Sequence, residues 1–221
     1  SGLYPCNLGQ EIMPQGEMVI VPVGSLSAQA NGYIDNLQSY DKYLLGTFQF
    51  TEQLFVDFHE WLLQGLIYSG SDGSVKQGRG AHGFGITSGM KQSPIWGGAG
   101  NTCGTHKEMA SLRAEHVGTI AVIIMLDIIQ KVTKANFVVQ LWVDIAEVVR
   151  RMIEGNTDPL ALDYDMYSHT TKRTEKIQYE LTWLKVDSHI ETKLKENPAR
   201  QLNGNPLSWR LNSAVDEWAG N

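Results

Sequence analysis

The sequence predicts an α/β fold built on a mixed five-stranded sheet, and three observations carry that expectation. Three strand candidates, "LIYSG", "GAHGFGITS" and "SPIWGGA", follow one another through Gly-rich turns, which suits an antiparallel meander. A long apolar helix pattern comes next. Two further strands then alternate with helices, so crossover connections allow them to pair parallel.

Taken in order, "EMVIVPVGSLSAQANGY" mixes a short apolar run, a Pro and loop residues, and predicts no regular element. "FTEQLFVDFHEWLLQG" reads as an amphipathic helix ended by Gly65. A boundary near residue 60 follows: residues 1–60 form an N-terminal extension or adaptor, and residues 61–221 form the α/β domain. After the three strands, Glu108 to Lys131 reads as one helix with apolar Leu112, Ile120, Ile123, Ile124 and Ile128. "NFVVQLWVD" is a strand of almost continuous apolar character, expected to be buried on both faces. "IAEVVRRMIEG" is a short helix closed by Gly155, "ELTWLKVD" the last strand and "LSWRLNSAVDEWAGN" the last helix.

Composition narrows the class. The chain is 42% hydrophobic and 19% charged, which is ordinary for a globular protein. No apolar run approaches the roughly 18 residues of a membrane span, because Asp127 interrupts "GTIAVIIMLDIIQ". There is no signal-peptide pattern, and Cys6 and Cys103 have no metal-binding spacing, so an intracellular protein, cytoplasmic or nuclear and not secreted, is expected. The net charge of −6 argues at first against a polyanionic partner, but its distribution answers the objection. Residues 1–60 hold seven acids against Lys42 alone, whereas 17 bases face 17 acids in the rest of the chain.

Acids recur at one kind of place. Asp72 follows the first strand, Asp144 closes "FVVQLWV", Glu115 lies in the long helix and Asp216 in the last. Glu115 shares a helix face with Leu112, Thr119 and Val122, which turns a charge toward an apolar surface. A buried carboxylate is costly unless it is paired or bound to a cation. Singly, each acid has an ordinary explanation: Ser-Asp-Gly is turn chemistry, Asp144 a helix cap, Asp216 a solvated helix acid. "GRGAHG" has the spacing of a dinucleotide loop, but a strand rather than a helix follows it and no acid closes a second strand at the required distance.

Together, "SDGSVKQGRGAHGFGI", "SLRAEHVGTIA", "LWVDIAEVV" and "LNSAVDEWAG" stand in the order and spacing of the ribonuclease H superfamily. The chain resembles that superfamily over residues 61–221, and "SDGS", "RAE" and the Asn-x-x-x-Asp of the final helix are most similar to ribonuclease H domains of eukaryotic retroelement reverse transcriptases. The resemblance implies a ribonuclease H-like fold, with Asp72, Glu115, Asp144 and Asp216 as the four metal-binding carboxylates. It also implies that His189, in "KVDSHIET", is the mobile histidine preceding the last helix. Two departures stand out: a long segment separates His189 from Asp216, and Asp187 and Ser188 precede the histidine where related histidines often follow a glycine. The implied cofactor is a pair of Mg²⁺ ions, with Mn²⁺ as a substitute. The implied partners are an RNA–DNA hybrid and a reverse transcriptase domain in a parent polyprotein, with no membrane involved.

The chemistry explains the residue types. Phosphodiester hydrolysis needs an activated water, a stabilised leaving oxygen and charge relief on the phosphate, which two Mg²⁺ ions about 4 Å apart supply. Mg²⁺ is a hard cation suited to carboxylate and phosphate oxygens. On this reading Asp72 bridges the ions, Glu115 and Asp144 complete the first, Asp216 holds the second, and His189 shuttles a proton or helps product leave. Gly73, Ser74 and Glu115 are placed to sense 2′-hydroxyls, and Asn101, Thr102, Thr105 and Lys107 to donate to DNA-strand phosphates. His59, His82, His106, His116 and His169 read as structural. No basic, aromatic-rich handle is visible along the chain. Two rival readings are another nuclease of the same fold acting on DNA, and a catalytically silent tether.

Overall fold

Backbone pairing and helix packing follow from a computed structural model, which describes residues 10–12, 18–20, 23–90, 92–105, 109–155, 158–161 and 163–220. Strands β1 (Gln10–Ile12) and β2 (Met18–Ile20) form a small antiparallel pair apart from the main sheet. Helices α1 (Val23–Asp35), α2 (Ser39–Leu45) and α3 (Glu52–Leu62) come next. The segment read as loop is therefore largely α1: Leu26 and Ala30, one turn apart, are buried, and that tertiary packing overrides an unremarkable local propensity. Thr51 caps α3 by accepting the Leu54 amide at 3.2 Å. Phe55, Phe58 and Trp61 of α3 then enter the same core as Leu44, Ile67, Ile124 and Val139. Burying each such side chain is worth about 1.5–3 kcal/mol, so residues 23–62 contribute to the stability of the sheet that follows.

Strands β3 (Ile67–Lys76) and β4 (Arg79–Ser88) make an antiparallel hairpin whose two turn residues, Gln77 and Gly78, both have positive φ, as a two-residue turn between twisted strands requires. Asp72 therefore lies inside a ten-residue strand opposite Gly83, not after the strand or in a turn. Strand β5 (Trp96–Asn101) pairs antiparallel with β4 and is bridged at its outer edge by Thr47. Helix α4 (Ser111–Thr133) is buried on nearly all sides, between the sheet and the helices α1, α2 and α6 (Tyr164–Thr174). The expected start at Glu108 lies outside the described residues.

Strand β6 (Val138–Val143) pairs parallel with β3, and β7 (Glu180–Lys185) parallel with β6, which gives the order β5-β4-β3-β6-β7. Three antiparallel strands followed by two parallel ones is the sheet expected from the sequence. Burial along β6 alternates instead of being complete, because its Val139, Leu141 and Val143 enter the core while the residues between stay half-exposed. Helix α5 (Ala146–Glu154) ends at Gly155 in a left-handed conformation. Helices α6 and α7 (Ile190–Glu196) were not foreseen, and α8 (Pro206–Gly220) closes the chain on β3 and β4. No helix among the described residues is long and apolar enough to cross a membrane.

Candidate functional site

Alternation along β3 sorts its residues onto two faces. Ser71 and Gly73 face α4, where Gly118 packs on Ser71 and a Cβ at Gly73 would lie 2.4 Å from the Glu115 amide nitrogen. Gly70 faces Leu211 of α8 instead. Asp72 thus points to the α8 side. There Gly83, its partner on β4, lets the α8 backbone approach so closely that a Cβ would sit 2.1 Å from the Val215 carbonyl oxygen. The missing side chains at Gly73 and Gly83 allow both helices to bring acids to one strand.

Asp72 is 8% exposed and accepts the Gly73 amide at 2.7 Å. Burial, then the adjacent carboxyl of Asp216, push its pKa up to about 7, with Asp144 adding to the effect and the Gly73 amide opposing it. Glu115 is fully buried, and burial followed by the charges of Asp72 and Asp144 drives its pKa well above the ordinary range. The Asp144 and Gly73 amides lie near enough to offset this partly, yet neither Glu115 oxygen completes a hydrogen bond. The parallel register that pairs Ser71 with Val143 sets Asp144 beside Asp72. Asp216 and Asp144 therefore act on Asp72, and Asp72 and Asp144 act on Glu115.

Asp144 also has a partner that sequence reasoning missed. Lys185, the last residue of β7, places its Nζ 3.1 Å from Asp144 Oδ1 and also donates to the Val186 carbonyl. The parallel pairing of β6 with β7 puts these two strand ends side by side, and only the sheet order could have shown it. Among the described residues no three His, Cys, Asp or Glu side chains form a ready-made cation cage. The donor set nonetheless suits a hard cation: four carboxylates, one of them buried with two unpartnered oxygens, and no sulfur ligand among them.

His189 caps α7 in a left-handed conformation, φ 51°, uncommon for a residue with a side chain. It lines a cleft of about 480 Å³ together with Asp216 and Asn212. Asn212, one helical turn before Asp216, is buried with its Oδ1 unpartnered. The departure at Asp187 has a structural role. This buried acid accepts the Asn203 amide at 2.6 Å and the Lys193 ammonium at 2.9 Å, which ties the long segment before α8 to the end of β7. Burial works against its charge, but these donors hold its pKa down at about 2.

Of the predicted substrate contacts, Gly73 and Ser74 adjoin Asp72 and are half-exposed, and Asn101 and Thr105 are exposed on the segment leading to α4. Thr102 departs from the expectation: it is 5% exposed, its amide is bonded to the Gly80 carbonyl and its hydroxyl packs beside Gly80, so it faces inward. Lys107 and His106 lie outside the described residues. His116 is buried with Asp163 3.6 Å away, and burial lowers its pKa to about 4, which agrees with a structural histidine.

Five strands in this order, with a helix on each face and acids on the first strand, the first long helix, the fourth strand's end and the last helix, decide the architecture. The fold is ribonuclease H-like. No family model and no curated protein sequence matches the chain. Solved structures with this fold are similar to it at low identity. Ribonuclease H1 from Halobacterium salinarum is 14% identical, with 55% of this chain and 86% of that one covered and a TM-score of 0.39. The compost-derived LC11 ribonuclease H1 in complex with an RNA/DNA hybrid is 15% identical, with 62% and 93% covered and a TM-score of 0.44. The protease-reverse transcriptase of prototype foamy virus is 12% identical, with 70% of this chain and 20% of that one covered and a TM-score of 0.43.

Proposed function

We propose that this ribonuclease H-like protein is a metal-dependent endonuclease that hydrolyses the RNA strand of RNA–DNA hybrids, leaving 5′-phosphate and 3′-hydroxyl ends. The observation that carries the proposal is the gathering of four carboxylates in which burial and the charges of Asp144 and Asp216 raise the pKa of Asp72, and burial and the charges of Asp72 and Asp144 raise that of Glu115, whose two buried oxygens complete no hydrogen bond among the described residues. An acid cluster of this kind is costly unless cations compensate it. Asp72, Glu115, Asp144 and Asp216 would hold Mg²⁺ or Mn²⁺, which when bound would supply the charge relief and water activation of phosphodiester cleavage. His189 shares a cleft with Asp216, which supports a role in moving a proton at the rim. Half-exposed Ser74 would read a 2′-hydroxyl, and exposed Asn101 and Thr105 would donate to the other strand.

In this reading residues 61–221 form the catalytic domain and residues 1–60 its extension, within an intracellular retroelement polyprotein that also carries a reverse transcriptase. One observation favours the rival of a silent tether: Lys185 places a cation on Asp144 without any metal. A gel assay of labelled RNA–DNA hybrid, double-stranded RNA and DNA, each with Mg²⁺, Mn²⁺ or EDTA, separates the readings. Cleavage of the hybrid's RNA strand that EDTA abolishes is the expected result. Cleavage of DNA alone would establish the DNA nuclease, and no cleavage under any condition the tether.

A further inference from the structure

A second cleft lies at the other end of α4. It encloses about 760 Å³ between the C-terminal turns of α4 and α6 and the connection from α1 to α2. Lys131 and Lys134 reach it from the end of α4, and Lys172 and Lys176 from the end of α6; all four are exposed. Arg173 is already engaged, paired with Asp41 and 3.7 Å from Asp127. Among the described residues none of the four lysines makes an ion pair within 4 Å, although Lys131 and Arg173 both act on Asp127, the second lining acid. Each lysine singly has an ordinary explanation, since a cation in the last turn of a helix meets the negative end of its dipole. That explanation does not account for two helices delivering those turns to one open cleft. Outside the lining, Tyr40 meets the lining residue His169 edge-on at 5.5 Å, turns its hydroxyl toward Cys103 and Met166, and remains 42% exposed.

We propose that this cleft is a second nucleic-acid site, whose four lysines hold the phosphodiester backbone of a strand, and that a base of the strand leaving the cleft past His169 stacks on the exposed Tyr40 beside it. Ammonium groups neutralise phosphates without reading sequence, and a cationic groove with an exposed aromatic is the combination that grips a single strand. The exposed ring favours nucleic acid over an acidic peptide, which would use the lysines alone. Sixteen residues of α4 separate Lys131 from Glu115, about 24 Å along the helix axis, so the cleft is distinct from the carboxylates. It supplies positive potential that the overall charge of −6 does not. The proposal goes beyond the nuclease reading, because binding here needs neither metal nor cleavage.

The test measures binding in EDTA, by fluorescence anisotropy of labelled single-stranded DNA and RNA–DNA hybrid over a salt series, with Asp72→Asn protein as the background. Adding Lys131→Gln and Lys172→Gln is expected to weaken single-strand binding about tenfold and to reduce the slope of log K against log salt by about two. Lys131→Arg with Lys172→Arg restores both, and Tyr40→Ala weakens single-strand binding while leaving the slope unchanged. Unaltered affinity and slope in the glutamine pair would overturn the site, and so would an equal loss in the arginine pair. That failure would leave hybrid cleavage by the wild-type protein untouched, and absence of cleavage would leave this binding untouched.

Discussion

Two acid clusters branch from the first turns of α4, and they are built on opposite terms. Arg113 opens one. Its guanidinium, 6% exposed, binds Asp165 through two bonds of 2.8 and 2.7 Å and donates to the Cys103 carbonyl. Beside it Arg151 holds Asp163 at 2.7 Å, and Arg150 and Arg151 share Glu147, drawing its pKa down to about 2. Every acid there has a guanidinium. Two residues along the chain, Glu115 opens the other cluster, where among the described residues Asp72 and Glu115 have no cationic partner and their pKa values are driven upward. The contrast teaches that acid content does not identify a site. An acid answered by arginine joins α4 to α5 and α6, whereas a buried acid held against other acids is neutralised by a proton or, on the proposed function, by a bound cation.

The largest expected effect lies in activity. Asp72→Asn and Glu115→Gln keep shape and remove charge, so each is expected to lower hybrid cleavage by about 10²-fold or more while circular dichroism stays native. Asp165→Asn is expected to keep cleavage within a few-fold of wild type, and equal losses on both sides would erase the distinction between the clusters.

The next effect is a pH dependence. The folded pKa of Asp72, about 7, lies above its unfolded value of 3.8. Its contribution to metal-free stability is therefore fully present below about pH 3.8 and is lost as pH rises through about 7, by an amount on the order of 4 kcal/mol. Buried His82 and His116, lowered to about 4, slope the other way. The readout is therefore the difference in Tm between wild type and Asp72→Asn in EDTA. Wild type should lose ground to the variant from pH 4 to pH 7, and a flat difference would show that Asp72 is neither desolvated nor held among acids.

Asp165→Asn breaks the paired cluster. It leaves buried Arg113 without its counter-ion and is expected to cost about 1–2 kcal/mol, discounted because Asp165 is 55% exposed. A Tm unchanged in thermal melts would mean that the pair contributes nothing. Asp144→Asn is the smallest effect: relief of repulsion on Asp72 and Glu115 is offset by loss of the Lys185 pair, so metal-free stability should stay within about 1 kcal/mol of wild type. The rise in Tm on adding Mg²⁺ should shrink in this variant, and a full response would remove Asp144 from the cation site.

Much of the fold could be read along the chain because its signals are local. Gly-punctuated strands, the apolar run of α4 and the Gly155 stop are properties of neighbouring residues, and each appears at its expected place with shifted ends. The order of the four acids was legible for the same reason. What tertiary structure alone decided depends on distant segments meeting. Helix α1 forms where the sequence reads as loop, because Leu26 and Ala30 find the core. Asp72 sits within β3 because the hairpin turns at Gln77–Gly78, and Thr102 turns inward against Gly80. Lys185 reaches Asp144 across 41 residues only because β6 and β7 run parallel, and four lysines line one cleft only because α4 and α6 end together. Periodicity records which face a residue occupies, whereas charge pairing depends on which faces the topology brings into contact.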